Sequence, residues 1–86
     1  MKIAIEIYGK DGDTDSTTAK DYGEKINSKN LEWISSTYKT LGTDFTQDEL
    51  YLKFQLSDLP VISVDNEVVT LDHFKRTIDD IIIPQL

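Results

Sequence analysis

The chain has 86 residues, 38% hydrophobic and 29% charged, with 16 Asp and Glu against 9 Lys and Arg and no cysteine. Residues 1–86 are expected to form a single domain with a modest core, burying about 60–65% of the surface of the unfolded chain. The net charge of −7 argues against binding nucleic acid or anionic membranes, which call for clustered Lys and Arg, and the lack of cysteine excludes disulfides, thiolate metal sites and thiol catalysis.

Lys2 to Tyr8 alternates, with Ile3, Ile5 and Ile7 on one side and Ala4, Glu6 and Tyr8 on the other. That period of two predicts a strand. Gly9 to Asp15 is rich in turn formers and predicts a loop. From Ser16 to Ile26 the period changes, and Ala19, Tyr22, Gly23 and Ile26 recur at helical spacing. Asp13, Asp15 and Ser16 are all competent N-caps for this first helix.

Leu31 to Tyr38 is rich in β-branched and aromatic residues and predicts a second strand, with Trp33 in core or edge packing. Thr46 to Leu56 predicts a second helix: Thr46 and Glu49 fit a capping box, and Phe45 with Leu50 fits a hydrophobic staple. Asp58-Leu59-Pro60 ends that helix. Val61–Val64 and Val68–Thr70 then read as a hairpin around Asp65, Asn66 and Glu67. A last helix is expected over Leu71–Ile82, burying Leu71, Phe74, Ile78, Ile81 and Ile82 before Pro84 stops it. His73, the one histidine, is expected at its surface.

The acidic loop admits several readings. Aspartates at a helix start satisfy free N–H groups and complement the helix dipole. The run also looks like the start of an EF-hand loop. Counted from Asp11, however, Ser16 stands where that loop needs glycine, and Tyr22 where it needs glutamate. A weaker divalent-cation site from Asp11, Asp13, Asp15 and Asp58 is the remaining metal alternative. A phosphate cradle is excluded by the lack of a GK[ST] sequence and by the repelling aspartates.

The order of elements is β-α-β-α-β-β-α, and two separated stretches resemble a glutaredoxin. Tyr8-Gly9-Lys10 and Ala19-Lys20 resemble the ends of that family's redox segment, with Asp13-Thr14-Asp15-Ser16 where Cys-Pro-Tyr-Cys belongs. Asp58-Leu59-Pro60-Val61-Ile62-Ser63-Val64-Asp65 resembles the family's Thr-Val-Pro segment and third strand. The resemblance implies a thioredoxin-like α/β fold, a four-stranded mixed sheet flanked by three helices, with a cis bond before Pro60 facing the redox loop.

The resemblance also implies what is missing. Asp13 matches the attacking cysteine and Ser16 the resolving one, and neither can perform thiol–disulfide exchange. Leu59 matches the residue that pairs with the backbone of glutathione. The Gly-Gly that receives its γ-glutamyl end falls on Thr70 and Leu71, next to Asp72. Lys10 keeps a basic residue, but Asp13, Asp15 and Asp58 would face the ligand's carboxylates, so no cofactor is expected.

A redox-inactive module is expected, binding a protein partner through Lys10, Asp13, Thr14, Asp15 and Ser16 with Asp58, Leu59, Pro60, Thr70, Leu71 and Asp72. The alternative is a cysteine-substituted variant of a dithiol glutaredoxin, a glutathione-dependent oxidoreductase and electron donor to ribonucleotide reductase. A cytoplasmic monomer is expected, since no apolar run spans a membrane and no signal-peptide pattern opens the chain.

Overall fold

The computed structural model describes residues 2–82 and 84, the side chains of Ile81 and Ile82 excepted. Ile3–Gly9 forms the first strand, β1, and its alternation sorts side chains between two layers. Ile5 and Ile7 are buried on one face with Ala19, Ile26, Ile34, Ile62, Phe74 and Ile78. Tyr8 is buried on the other with Phe45, Leu50 and Val61.

The remaining elements are α1 (Thr14–Asn27), β2 (Ile34–Thr40), α2 (Gln47–Phe54), β3 (Val61–Val64), β4 (Glu67–Val69) and α3 (Leu71–Thr77), the last continued by a π-helical segment over Ile78–Ile82. The strands run in the order β2-β1-β3-β4. β1 is parallel to β2 and antiparallel to β3, and β3 is antiparallel to β4. α1 and α3 share the isoleucine face, and α2 covers the tyrosine face. The central strand is thereby enclosed on both sides, each buried Ile or Phe contributing about 1.5–3 kcal/mol of transfer free energy.

The first two strands of a βαβ unit must be parallel when the crossover is right-handed. Their register sets Ile34, Ser36 and Tyr38 beside Ile3, Ile5 and Ile7. α1 lies very close to this pair. A Cβ built on Gly23 would collide with Ser36 Oγ and stand 3.0 Å from Ile7 Cδ1, so glycine is what allows the approach. At its C-terminal end, the Asn27 amide donates to Ser36 O (2.8 Å) and accepts from Ser36 N (2.9 Å), occupying outward backbone groups of the edge strand.

On the tyrosine face, Tyr8 donates its hydroxyl to Glu6 Oε2 and receives the Lys53 ammonium at 3.0 Å. Lys53 and Lys39 lie 3.3 and 3.8 Å from the same carboxylate. The Tyr8 hydroxyl, then the lysines, hold Glu6 below the usual carboxylate range against the opposing effect of burial. Tyr8 and Glu6 in turn push Lys53 up.

Several expected boundaries shift for local reasons. α1 begins at Thr14, two residues earlier than expected, because Asp13 is the cap. β2 starts at Ile34 instead of Leu31: Asn30 turns through φ 53°, and Trp33 is 37% exposed rather than in the core. α2 is shorter than expected, since Gln55 turns left-handed at φ 58°. Its capping box forms, and Phe45 and Leu50 are buried together. Asp65 and Asn66 both take positive φ, so the hairpin turn is two residues and β4 begins at Glu67. Thr70, expected to end that strand, instead caps α3 by accepting from His73 N. The burial expected for Ile81 and Ile82 lies outside the described residues. Among the described residues, no helix is long and apolar enough to cross a membrane.

Candidate binding face

The topology gathers the sequence-predicted residues at one end of the sheet. β1 ends at Gly9, and its last partner on β3 is Val61, so Pro60 follows directly beyond the end of the ladder. Val69 pairs with Ile62, which sends Thr70 and the start of α3 to the same end. α1 starts there too, after the loop that follows β1. Lys10, Thr14, Asp15, Asp58, Thr70 and Asp72 are exposed, and Leu59, Pro60 and Leu71 are half-buried. The Leu59–Pro60 peptide is cis.

Asp13 organises the loop. Gly12, at φ 81°, turns the chain into the cap position, a backbone conformation that favours glycine. Asp13 Oδ2 then accepts from Ser16 N at 2.9 Å and from Ser16 Oγ at 2.8 Å. Ser16 Oγ accepts in turn from Lys10 N at 3.2 Å, which ties the loop's start to the helix. The Ser16 hydroxyl and amide, with the nearby Lys10 charge, hold the Asp13 carboxyl below the usual carboxylate range.

This arrangement corrects one expectation outright. Ser16 is fully buried beneath Gly9 and Asp13, so it supports the face and cannot touch a partner. The cation reading is not favoured either. Asp13 is turned onto its own helix, and among the described residues no group of three or more His, Asp or Glu side chains is placed to hold a metal. Thr70 and Leu71 are committed to the fold, Thr70 as the cap of α3 and Leu71 against the core.

Sequence reasoning missed Tyr38. The parallel register carries it to the end of β2 beside Ile7, and its hydroxyl comes close to Gly9. Burial, then the charges of Asp11 and Asp13, push its phenol above the ordinary range. Lys20 sits 5.4 Å above its ring. The signal was present in the register of the first two strands, which the alternation of β1 alone leaves open.

A crystal structure of glutaredoxin 1 from Francisella tularensis, solved in complex with cacodylate, matches the chain at a TM-score of 0.58 and 20% identity, covering 93% of this chain and 96% of that one. The fold is that of a glutaredoxin. No protein-family model and no curated relative matches the sequence. The glutaredoxin fold here therefore carries a helix start built from a carboxylate and a buried hydroxyl, with no cysteine anywhere in the chain.

The cap contributes to stability in a pH-dependent way. A carboxyl whose pKa is lowered on folding stabilises the native state above its unfolded pKa, and that contribution is lost as pH falls through the folded value. Asp13→Ala is expected to lower the melting temperature at neutral pH by about 4–8 °C, the shift that losing one N-cap causes in a domain of this size. The gap should close as acid protonates Asp13 in the parent, and Asp13→Asn should keep most of the stability. Calorimetric melts of the three chains across the acid range check this; a gap that persists unchanged into strong acid contradicts the role.

Proposed function

We propose that this chain is a monomeric protein-binding module on a glutaredoxin scaffold, without thiol redox activity, and that the end of the sheet bearing Asp13 and Pro60 is its contact face. The observation that carries this reading is the Asp13 cap. Where the sequence resemblance expects an attacking thiolate, a carboxylate is held by Ser16. A carboxylate does not exchange with disulfides, and Ser16 has its hydroxyl buried and already donated. What remains is shape and charge: half-buried Leu59 and Pro60, with Asp15, Asp58 and Asp72 exposed. Exposed carboxylates beside a partly exposed Leu-Pro segment suit a protein surface bearing Lys or Arg.

Glutathione has no role in this reading. Side chains at Thr70 and Leu71 stand where the resemblance calls for close backbone approach, and Thr70 is bonded to α3. The ligand's carboxylates would also meet like charges, a repulsion of about 4 kcal/mol for a pair 4 Å apart at an effective dielectric of about 20.

Two measurements test the proposal. With glutathione and hydroxyethyl disulfide, the protein should show no turnover above background, and clear turnover overturns redox inactivity. Affinity capture from cells of the source organism should recover a partner with the parent chain and lose it with Asp13→Asn and Asp15→Asn combined. Equal recovery by both chains overturns the assignment of the face.

A further inference from the structure

The outer side of α2 presents apolar residues to solvent. Leu52 is 81% exposed and Tyr51 57%, and Leu56, just beyond the helix, is 42% exposed. At 100° per residue, Leu50 and Phe54 point to the sheet while Asp48 and Leu52 share the opposite side. Asp48, Tyr51, Leu52 and Ser57 frame a shallow depression there.

This surface is held in shape without a partner. The capping box fixes the start of α2, and the left-handed Gln55 fixes its end. The Gln47 side chain donates to Ser57 O at 2.7 Å, bracing the first turn against the chain that follows the helix. A docking surface set in advance loses little conformational entropy on binding.

The charge around it has one sign. Asp48 lies within the depression, and Glu49 is exposed nearby in sequence. The one lysine of α2, Lys53, is turned back to Glu6 and Tyr8. A second copy of this chain would set acidic sides together at a net charge of −7 each. A cationic partner is complementary to Asp48, and the exposed Tyr51 and Leu52 are well covered by another helix.

We propose that the outer side of α2 docks an amphipathic, Lys- or Arg-bearing helix of another protein. Apolar side chains of that helix cover Tyr51 and Leu52, and its cations meet Asp48. The surface lies on the outer side of α2, shares no residue with the Asp13 face and stands independently of the function proposed for it.

The test is an NMR titration of the isotope-labelled protein with a short synthetic Leu/Lys peptide of helical period, beside a Leu/Glu peptide of the same pattern. The Leu/Lys peptide should move the amides of Asp48, Tyr51, Leu52, Leu56 and Ser57, and the Leu/Glu peptide should move none. Leu52→Asp should weaken binding at least about tenfold, the range of an interface anchor. That substitution adds negative charge, so unchanged or tighter binding would mean non-specific attraction and overturn the proposal. Shifts confined to the loop of Lys10–Asp15 overturn it as well, as does a dimer in sedimentation that Leu52→Asp abolishes. The Asp13→Asn, Asp15→Asn chain should bind the peptide like the parent, which separates this surface from the other face; loss of binding there overturns the proposal.

Discussion

Phe74→Ala is expected to lower the unfolding free energy by about 3–5 kcal/mol, the usual range for removing a buried phenylalanine. Phe74 is 2% exposed and joins α3 to the sheet, with its ring edge-on to Tyr22 at 6.4 Å between centroids. A domain of this length commands only about 4–13 kcal/mol in total. The variant should therefore keep little reserve. Its urea midpoint, followed by circular dichroism, should fall far below the parent's, while Leu52→Ala, at the most exposed leucine of α2, should leave it nearly unchanged. A loss below about 1 kcal/mol for Phe74→Ala would mean that the isoleucine face is not the main core.

Gly9→Ala is expected to cost about 1–3 kcal/mol, the penalty of overfilling a packed site. The added Cβ would lie 2.5 Å from Tyr38 Oη and 2.8 Å from Ser16 Cβ. The tyrosine ring can swing away. Ser16 cannot, because its backbone is in α1 and its hydroxyl is shared between Asp13 and Lys10. Adding Tyr38→Phe to Gly9→Ala should accordingly restore little stability. Amide shifts of Lys10 and Ser16 should report the displaced helix start. Full rescue by Tyr38→Phe would show that the tyrosine, and not the helix, sets the limit.

Much of the fold could be read from local pattern. The alternation in Lys2–Tyr8 assigned both faces of β1 correctly, because a central strand covered on two sides still separates its side chains by parity. The capping box at Thr46 located the start of α2 to within a residue. The errors fall where the decision is not local. Three residues near the loop were able to cap α1, and Asp13 wins because Gly12 and Lys10 shape the turn before it. Leu31 and Trp33 have strand-forming side chains, yet β2 begins only where β1 offers it a partner.

The candidate face was legible in outline, because motif order carried by a known topology fixes which segments share one end of the sheet. Its internal arrangement was not. Ser16 reads as a surface hydroxyl in sequence, and only the close packing of Gly9 and α1 buries it. Tyr38 enters by strand register, which single-strand periodicity does not specify.

The grip of Asn27 on Ser36 bears on how copies of this molecule behave when crowded together. An open sheet rim is a template on which neighbouring chains can add strand after strand, ending in fibrils. Here a side-chain amide already occupies both backbone positions of Ser36, so an incoming strand would first have to prise the end of a helix away. Replacing this single asparagine by alanine should therefore make concentrated solutions more prone to fibrillar deposits.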